Sequence, residues 1–478
     1  MSDQPLVDAW TRGRARRMHP LQVSGHKNQY ADGPGELLPG AIGADLLGPL
    51  VRDDLAMQGG VDDNAFSNGY LADAERLWAS AVRADYCRFL VGGSTQGNIS
   101  ALSAIARPGR PVAIDRTSHR STQAALVVTG ALPQWIFPDI HPDFGLPMGI
   151  RADSIDGVDD DITGAFITSP SYVGTLSDVA ALAEAAHRRG VPLVVDQAWG
   201  AHLGFLPGRG ALELGADICV TSVHKALMGY TQTAVVAMRD GLVDRSQFDR
   251  CVDLVQTTSP SGTLLASIDA TRAVLERDGT AAFERTFAAV QRMRRALAAI
   301  PGLVVLDDEL VPHGMDPFKV TLWLPRTGAD GVAIGQQLWD AGHGAESADR
   351  DTLVLTVTLV DSDAFLDEAT ALVQGLIEHG RGAPRAPAQL SVWQVEPEVA
   401  CTPREAFFAR HRRIRLDDAV GEISAEQFCP YPPGVPMLAP GERVTAEVIE
   451  GIRQAAREVR VAYCSDPSLE TIVIVDES

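Results

Sequence analysis

Between about residues 70 and 290, short apolar runs alternate with longer segments of helical pattern, and this alternation limits the chain to few folds. The apolar runs read YCRFLV, PVAID, GAFITS, PLVVD and DICVTS, and helix-like segments such as 95–107 and 178–189 lie between them. Several helix-like segments end at a glycine, for example Gly130 and Gly190, as helices often do. Apolar strands separated by helices predict an α/β fold with a mostly parallel sheet covered on both faces.

Changes of composition on either side of this region predict a division into domains. Residues 1–60 are rich in glycine, proline and charge and predict an irregular N-terminal arm, followed by the large α/β domain over 61–295. A smaller α+β pattern, with the runs LVVLD, FKVTLWL and LVLTVTLV, predicts a small domain over 296–380. The stretch RGAPRAPAQ has the composition of a linker, so 390–478 is predicted to be a C-terminal domain.

The charge and the cysteines narrow the class of protein. With 41 basic and 62 acidic side chains, the formal net charge is −21, which argues against nucleic acid or an anionic membrane surface as the main partner. No apolar run approaches the ~20 residues that span a bilayer, and the segment MSDQPLVDAW does not have the features of a signal peptide. The six cysteines form no CxxC pair, so we expect neither a metal site nor a disulfide framework, and a cytoplasmic location.

A glycine-rich turn follows the first strand of the alternating region. Gly92, Gly93, Ser94 and Thr95 come directly after YCRFLV and open a helix. Because ligands of open α/β sheets bind beyond the carboxyl ends of the strands, this turn is a candidate site. Hydroxyls and free N–H groups at a helix start favour an anion such as phosphate, although an ordinary capped turn explains the motif equally well.

Three further strands also end at residues suited to chemistry. His119, after PVAID, offers a flat ring for stacking on a ligand, or is a solvated helix cap. Asp196 follows four apolar residues, where a carboxylate requires a cationic partner such as a protonated ring nitrogen, unless it caps a helix. Lys225, after DICVTSVH, is either a surface lysine or an amine kept neutral in a dry site to attack a carbonyl. A phosphate cradle, a stacking ring, a carboxylate and a lysine together suit one cofactor, pyridoxal 5′-phosphate (PLP).

Six motifs carry a family resemblance: FLVGGSTQGN, IDRTSHRS, VVDQAWGAHLGF, GADICVTSVHKAL, TTSPSGTLLASIDATR and ISAEQFCPYPPGVPMLAPGE. Their order and spacing resemble the ornithine/lysine/arginine decarboxylase family, PLP enzymes of fold type I, over about residues 10–464. The early HPLQVSGHK resembles that family's N-terminal signature. The serine-x-histidine-lysine element together with PYPPG is specific to the family. The chain is similar to its shorter branch, which does not have a receiver-like N-terminal domain.

The resemblance implies a role for each site residue. Lys225 would carry the cofactor covalently, Asp196 would pair with its ring nitrogen, and His119 would stack on its ring. Lys225 or His224 would return a proton to the substrate Cα after CO2 leaves. The remaining cofactor-binding residues would be Ser94, Thr95, Ala198, Ser222 and His224, with Ser259 reaching the site of a neighbouring subunit, because the family builds its sites at a dimer interface.

The substrate side is less well defined by the sequence. Trp199 stands where many family members have histidine. Gly262 and Thr263 stand where members commonly have an aromatic and an aliphatic residue, a difference that would enlarge or reshape the pocket. Glu346 and Glu426 are candidates to hold a distal amino or guanidinium group, although a structural role is an equally good interpretation of each.

The function implied is PLP-dependent decarboxylation of lysine, arginine, ornithine or a related derivative, by a homodimer or larger homo-oligomer. Two alternatives stay open: another PLP reaction on an amino acid, such as transamination, elimination or oxidative deamination, and a non-catalytic regulatory relative. The presence of Lys225, Asp196 and His119 together argues against the last of these.

Overall fold

The structure is a computed structural model that describes residues 2–15, 53–57, 61–62, 69–387, 396–431, 435–458 and 461–476. The HPLQVSGHK signature and residues 432–434 of the PYPPG motif lie outside the described residues.

The strands are, in chain order, β1 (Tyr86–Leu90), β2 (Pro111–Asp115), β3 (Leu132–Ile136), β4 (Pro138–Ile140), β5 (Pro147–Ile150), β6 (Ala165–Thr168), β7 (Leu193–Asp196), β8 (Ile218–Ser222), β9 (Ala234–Met238), β10 (Val304–Val305), β11 (Lys319–Trp323), β12 (Ser347–Ala348), β13 (Thr352–Thr356), β14 (His411–Arg415), β15 (Cys429–Tyr431), β16 (Val461–Tyr463) and β17 (Thr471–Val475).

The α-helices are α1 (Pro5–Ala15), α2 (Tyr70–Ala81), α3 (Gly93–Ile105), α4 (Ser121–Thr129), α5 (Asp153–Asp156), α6 (Val179–Arg188), α7 (Val223–Ala226), α8 (Arg245–Val255), α9 (Gly262–Ala298), α10 (Gly331–Asp340), α11 (Asp363–His379), α12 (Pro403–Phe408) and α13 (Ala446–Glu458). Short 3-10 helices lie at Ala201–Phe205, Pro325–Thr327 and Leu416–Asp418.

The large sheet has the strand order β1-β9-β8-β7-β6-β2-β3 within the described part of the chain. Strand β9 is antiparallel to both of its neighbours, and the pairs from β8 to β3 are parallel. Successive strand residues point to opposite faces, and both faces are covered. Val194 and Val220 pack in the core with α3, α4 and α8, whereas Val195 and Cys219 pack in the core with α2, α6 and α9. The predicted α/β fold with a mostly parallel sheet is confirmed.

A second sheet follows, with the order β10-β11-β13-β12 and antiparallel pairs. It shares a core with α10, α11 and the last part of α9. The first part of α9 packs instead in the core of the large sheet through residues such as Leu265 and Leu275. The predicted domain boundary at residue 295 falls inside this helix, and the division into domains stays a prediction.

The start of the chain differs from the irregular arm that its composition predicts. Residues 5–15 form α1, and Leu6, which is fully buried, packs in the core of the large sheet. The backbone N–H of Leu6 donates to Asp269 Oδ2 over 3.0 Å. The helix is stable here because α9 supplies both apolar contact and a hydrogen-bond acceptor, which glycine and proline content does not reveal.

The last part of the chain is joined to the large sheet by a buried ion pair. Arg116, just after β2, donates to both carboxylate oxygens of Glu442 and to Met437 O. Both charged side chains are almost completely buried. Since a buried charge is stable only when it is paired, this contact fixes the C-terminal segment beside the turn that carries His119. Among the described residues, no helix has both the length and the apolar character to cross a membrane.

Candidate active site

Lys225 lies in the short helix α7 directly after β8, at the carboxyl edge of the large sheet. Its Nζ is 3.7 Å from the centroid of the Trp199 ring. Burial lowers the pKa of Lys225, while the charges of Asp196 and Glu346 act in the opposite direction. The amine is therefore held in conditions that favour its neutral, nucleophilic form.

Asp196 is the last residue of the neighbouring parallel strand β7 and is 2% exposed. Its Oδ2 accepts a 2.7 Å hydrogen bond from Asn98 Nδ2, and its Oδ1 accepts a 3.0 Å bond from the Ala198 N–H. Burial raises the pKa of Asp196, and the Lys225 charge and these two hydrogen bonds counteract part of that effect. The carboxylate is thus rigidly oriented and electrostatically coupled to Lys225.

His119 follows β2, and its ring nitrogen Nδ1 lies 3.0 Å from Ser121 Oγ. Burial, with smaller contributions from the charges of Lys225 and Arg120, lowers the pKa of His119 to about 4. The imidazole is consequently neutral at physiological pH. A neutral flat ring near Lys225 suits stacking on an aromatic ligand better than an imidazolium would.

The turn between β1 and α3 lies beside the end of β8. Gly97, in the second turn of α3, is so close to β8 that a Cβ there would come within 2.5 Å of Val220 Cγ1. This close approach brings the start of α3, with Ser94 and Thr95, towards the residues that end β8. Ser222 Oγ is buried and has no hydrogen-bond partner among the described residues. His224 Nδ1 donates to Thr233 O over 2.8 Å, a hydrogen bond that fixes the orientation of this ring next to Lys225 in the chain.

A cavity of about 810 Å³ opens beside this turn. Thr95 and His119 line one side of it, and Glu426 from the C-terminal part of the chain lines another. The Glu426 carboxylate accepts hydrogen bonds from Ser465 and from the Val473 N–H. Most of its acceptor capacity is therefore used within the C-terminal segment.

Lys319 is a site residue that the sequence analysis missed. It begins β11 in the small sheet, is 1% exposed, and its Nζ lies 3.9 Å from the Trp199 ring centroid. The Nζ donates to Thr356 Oγ1 over 2.8 Å. Burial lowers the pKa of Lys319 to about 8. The negative charge of Glu346 opposes this shift, as it opposes the shift of Lys225. The sequence signal that could have identified it is a lysine inside the otherwise apolar run FKVTLWL.

Asn98 was missed as well, although it ends the motif FLVGGSTQGN.

Gly262 and Thr263, expected to shape the substrate pocket, make other contacts in the structure. A Cβ at Gly262 would lie 2.6 Å from Val61 Cγ2, and the Gly262 N–H donates to Leu55 O over 2.7 Å. Thr263 Oγ1 accepts from Trp10 Nε1 at 3.0 Å. Within the described part of one chain, both residues hold the N-terminal segments against α9, and a role towards substrate stays a prediction.

Ser259 lies in the exposed loop before α9, where its described contacts are with Thr257. Its role in the site of a neighbouring subunit stays a prediction.

Two family models match the chain. The model described as "Orn/Lys/Arg decarboxylase, major domain" matches residues 4–331, and the model of that family's C-terminal domain matches residues 387–459. The chain belongs to the Orn/Lys/Arg decarboxylase family. The resemblance seen in the motifs is confirmed, and with it the class of enzyme, an amino acid decarboxylase.

Curated relatives carry matching names. An arginine decarboxylase of Bacillus subtilis is 31% identical over 497 residues, an alignment that covers 99% of this chain and 98% of the relative. An arginine decarboxylase of Halalkalibacterium halodurans is 30% identical over 441 residues and 89% of each chain. The lysine decarboxylase LdcA of Pseudomonas aeruginosa is more distant, at 23% identity over 79% of this chain and 65% of its own.

Solved structures share the fold. The lysine decarboxylase LdcF of Francisella novicida superposes with a TM-score of 0.81 at 17% identity, over 99% of this chain and 81% of that one. The constitutive lysine decarboxylase of E. coli superposes with a TM-score of 0.80 at 19% identity, over 99% of this chain and 82% of that one. The predicted PLP fold type I is confirmed.

The residues at the strand ends fit PLP. The buried Ser222 Oγ and Asn98 Oδ1 have no hydrogen-bond partner among the described residues, so polar groups of a ligand would satisfy them. A half-buried amine at Lys225, a fixed carboxylate at Asp196 and a neutral imidazole at His119 complete the donor and acceptor set that such a cofactor requires.

Proposed function

We propose that this chain decarboxylates a basic amino acid with PLP bound at Lys225, releasing the corresponding amine and CO2. The observation that supports this most strongly is the Lys225 amine, partly buried and electrostatically coupled to the fixed carboxylate of Asp196. Relatives aligned over nearly their whole length are named arginine decarboxylase, so arginine is the first substrate to test, followed by lysine and ornithine. A cytoplasmic homodimer is part of the proposal.

The amine of Lys225 is prepared for attack on an aldehyde. Removal from water disfavours its ammonium form, and the free amine is the nucleophile. When bound, PLP supplies that aldehyde and a protonated ring that withdraws electrons from the substrate Cα. Ser222, His224 and the start of α3, with Ser94 and Thr95, are the groups that would hold its phosphate.

Asp196 and His119 act on the ring of the cofactor. Asp196, fixed by Asn98 and by the Ala198 N–H, would hold a proton on the ring nitrogen, and Ala198 would lie beside it. His119, being neutral, would pack flat on the ring without adding charge. Once CO2 has left, a proton must return to Cα, and Lys225 Nζ and His224 Nε2 are the two candidate donors.

The distal group of the substrate needs an acidic partner. Glu346 is exposed yet acts electrostatically on Lys225, so it lies where a carboxylate can meet an amino or guanidinium group near the amine. Glu426 lines the cavity next to His119. We propose both as substrate contacts, together with Trp199, whose ring already contacts the Lys225 amine.

The test has two measurements on freshly purified protein. Borohydride reduction with PLP, followed by peptide mass mapping, should add the reduced cofactor to Lys225 and nowhere else, and Lys225→Ala should abolish the adduct. Release of CO2 from carboxyl-labelled arginine, lysine and ornithine should then identify the substrate. A keto acid product with no CO2 from any basic amino acid would indicate another PLP reaction, and an unlabelled Lys225 would remove the basis for the proposal altogether.

A further inference from the structure

Lysine is rare in this chain. Of the 41 basic lysine and arginine residues, the lysines are Lys27, Lys225 and Lys319, and arginine supplies the rest. Two of these three lysines contact the ring of Trp199. An amine can lose its proton, whereas a guanidinium is charged at every pH a protein meets. Lysine at both positions, in a chain with one other lysine and many arginines, indicates a requirement for an amine rather than for a positive charge alone.

The two amines are close neighbours. Lys225 Nζ lies 3.7 Å and Lys319 Nζ 3.9 Å from the centroid of the same indole ring, so the two nitrogens are no farther apart than the sum of these distances. Lys319 reaches the ring from the small sheet, and its hydrogen bond to Thr356 Oγ1 holds the amine in place. A residue from the small sheet is thus fixed beside the amine of the large sheet.

The acidic groups nearby neutralise only part of the positive charge of these two amines. The negative charge of Asp196 raises the pKa of Lys225, that of Asp316 raises the pKa of Lys319, and that of Glu346 raises both, each against the larger effect of burial. Asp316 is already engaged, because its Oδ1 lies 2.9 Å from His202 Nε2 and accepts from the Phe318 N–H. Glu346 is exposed, so solvent screens its charge.

Two ammonium groups at this distance, away from water, repel each other, and the repulsion favours loss of one proton. The charge of Lys225 is among the causes that lower the pKa of Lys319, after burial. The repulsion is shared by the two groups, so Lys319, while it is charged, also disfavours the ammonium form of Lys225 across the Trp199 ring.

We propose that Lys319 is a positioning residue whose charge favours the neutral form of the Lys225 amine, the form that attacks an aldehyde. The proposal extends the proposed function and rests on it, because the neutral amine has a use only if Lys225 binds an aldehyde cofactor. A purely structural Lys319, serving only to pack against Trp199, would leave the protonation of Lys225 unchanged.

The experiment measures the pH at which the Lys225 amine loses its proton. The full-length chain, freed of cofactor, is labelled with acetic anhydride in competition with a small amine standard over a pH range of about 6 to 11. Peptide mass mapping then gives the labelling midpoint of Lys225 in the wild type, in Lys319→Met and in Lys319→Arg. Methionine keeps most of the side-chain volume without charge, and arginine keeps the charge.

The proposal expects Lys319→Met to raise the Lys225 midpoint by about one pH unit, which lowers its labelling near neutral pH about tenfold, while Lys319→Arg, which stays charged throughout the pH range, keeps the midpoint at or below that of the wild type. An unchanged midpoint in Lys319→Met, or an equal rise in Lys319→Arg, would overturn it. If Lys319→Met does not fold, Lys225→Met gives the reciprocal test, because the labelling midpoint of Lys319 must then rise, and a constant midpoint overturns the proposal. Since no cofactor is present, this result is separate from the borohydride test, and either can fail alone.

Discussion

Three neighbouring side chains show how one buried environment shifts the pKa of an acid and of two bases in opposite directions. Burial raises the pKa of Asp196 and lowers the pKa of both His119 and Lys225. Burial thus favours the neutral form of each of the three groups, while the Lys225 charge and the two hydrogen bonds favour the ionised form of Asp196. Such a set suits a cofactor whose ring nitrogen is protonated, because a cationic ring nitrogen would replace Lys225 as the partner of Asp196.

Asp196→Asn should lower kcat by about 10²-fold or more, because an amide cannot hold a proton on a ring nitrogen as a carboxylate does. Borohydride labelling of Lys225 should persist, since the amine remains. CO2 release under saturating substrate is the measurement. The matched control is Asp217→Asn, a buried carboxylate at the opposite edge of the sheet that accepts from the Leu193 N–H over 2.8 Å. This control should lose stability and keep kcat, and an equal loss of kcat in both variants would argue against a specific role for Asp196.

His119 should make the cofactor-free chain sensitive to acid. Its folded-state pKa of about 4 lies below the ordinary value of 6.5, so the unfolded chain takes up the proton first. Its stabilising contribution is complete above pH 6.5 and is lost as the pH falls through about 4, with a ceiling of about 3 kcal/mol. Urea unfolding of the wild type and of His119→Gln measures this as a difference in the free energy of unfolding that changes between these two pH values and is constant above them. A constant difference at every pH would contradict the assignment.

Single residues could be placed from the sequence where a motif marks the end of a strand. Asp196 ends β7 and Lys225 comes three residues after β8, and the parallel order of β7 and β8 puts both at one edge of the sheet, where ligands of α/β sheets bind. Their roles towards a cofactor stay predictions. Lys319 was missed because it comes from another sheet, and the approach of that sheet to Trp199 is a tertiary contact with no local pattern. Asn98 was missed because its function is to orient Asp196, which only the fold makes visible.

At the scale of elements, the distance between α3 and β8 governs the candidate phosphate site. Gly97→Ala would place a Cβ 2.5 Å from Val220 Cγ1 in a fully buried contact, so the helix must move away from the strand. We expect destabilisation of about 1–3 kcal/mol and weaker cofactor binding, measured by urea unfolding and by PLP titration. Gly375→Ala in α11 is the matched control, because an added Cβ there meets nothing within 4 Å, and it should stabilise the chain by about 0.5–1 kcal/mol. Equal effects of both substitutions would show that helix propensity, and not the contact with β8, decides the outcome.

The pattern of elements in the large sheet could be predicted because its physical cause is local. Strands buried on both faces must be apolar throughout, and their helices show in the periodicity, as for α6, which Asp178 caps. The length of α9 could not be predicted in the same way, because its apolar residues face one core in its first part and another core in its last part. Helix α1 depends on contacts with α9 and has no strong signal of its own.

At the scale of the whole molecule, the candidate site collects residues from distant parts of the chain. The large sheet supplies Lys225 and Asp196, the small sheet supplies Lys319, and the C-terminal segment supplies Glu426 to the adjoining cavity. The buried pair of Arg116 and Glu442 fixes the C-terminal segment to the turn before His119. Ser259, also in the predicted set, lies in an exposed loop of the single chain, and the resemblance assigns it to a neighbouring subunit.

That assignment predicts complementation between two inactive variants. Lys225→Ala removes the amine, and Ser259→Trp fills the place where a serine would enter the partner's site, so each homodimer should be inactive. Co-expressed in equal amounts, they form hybrid dimers in which one site has both its own Lys225 and an intact Ser259 from the partner. Random pairing of the two chains then restores about a quarter of the wild-type sites. CO2 release from the purified mixture is the measurement, with Lys225→Ala co-expressed with itself as the blank. If Ser259→Trp alone is fully active, or if the mixture stays inactive while hybrid dimers are present by native mass spectrometry, Ser259 does not act across an interface.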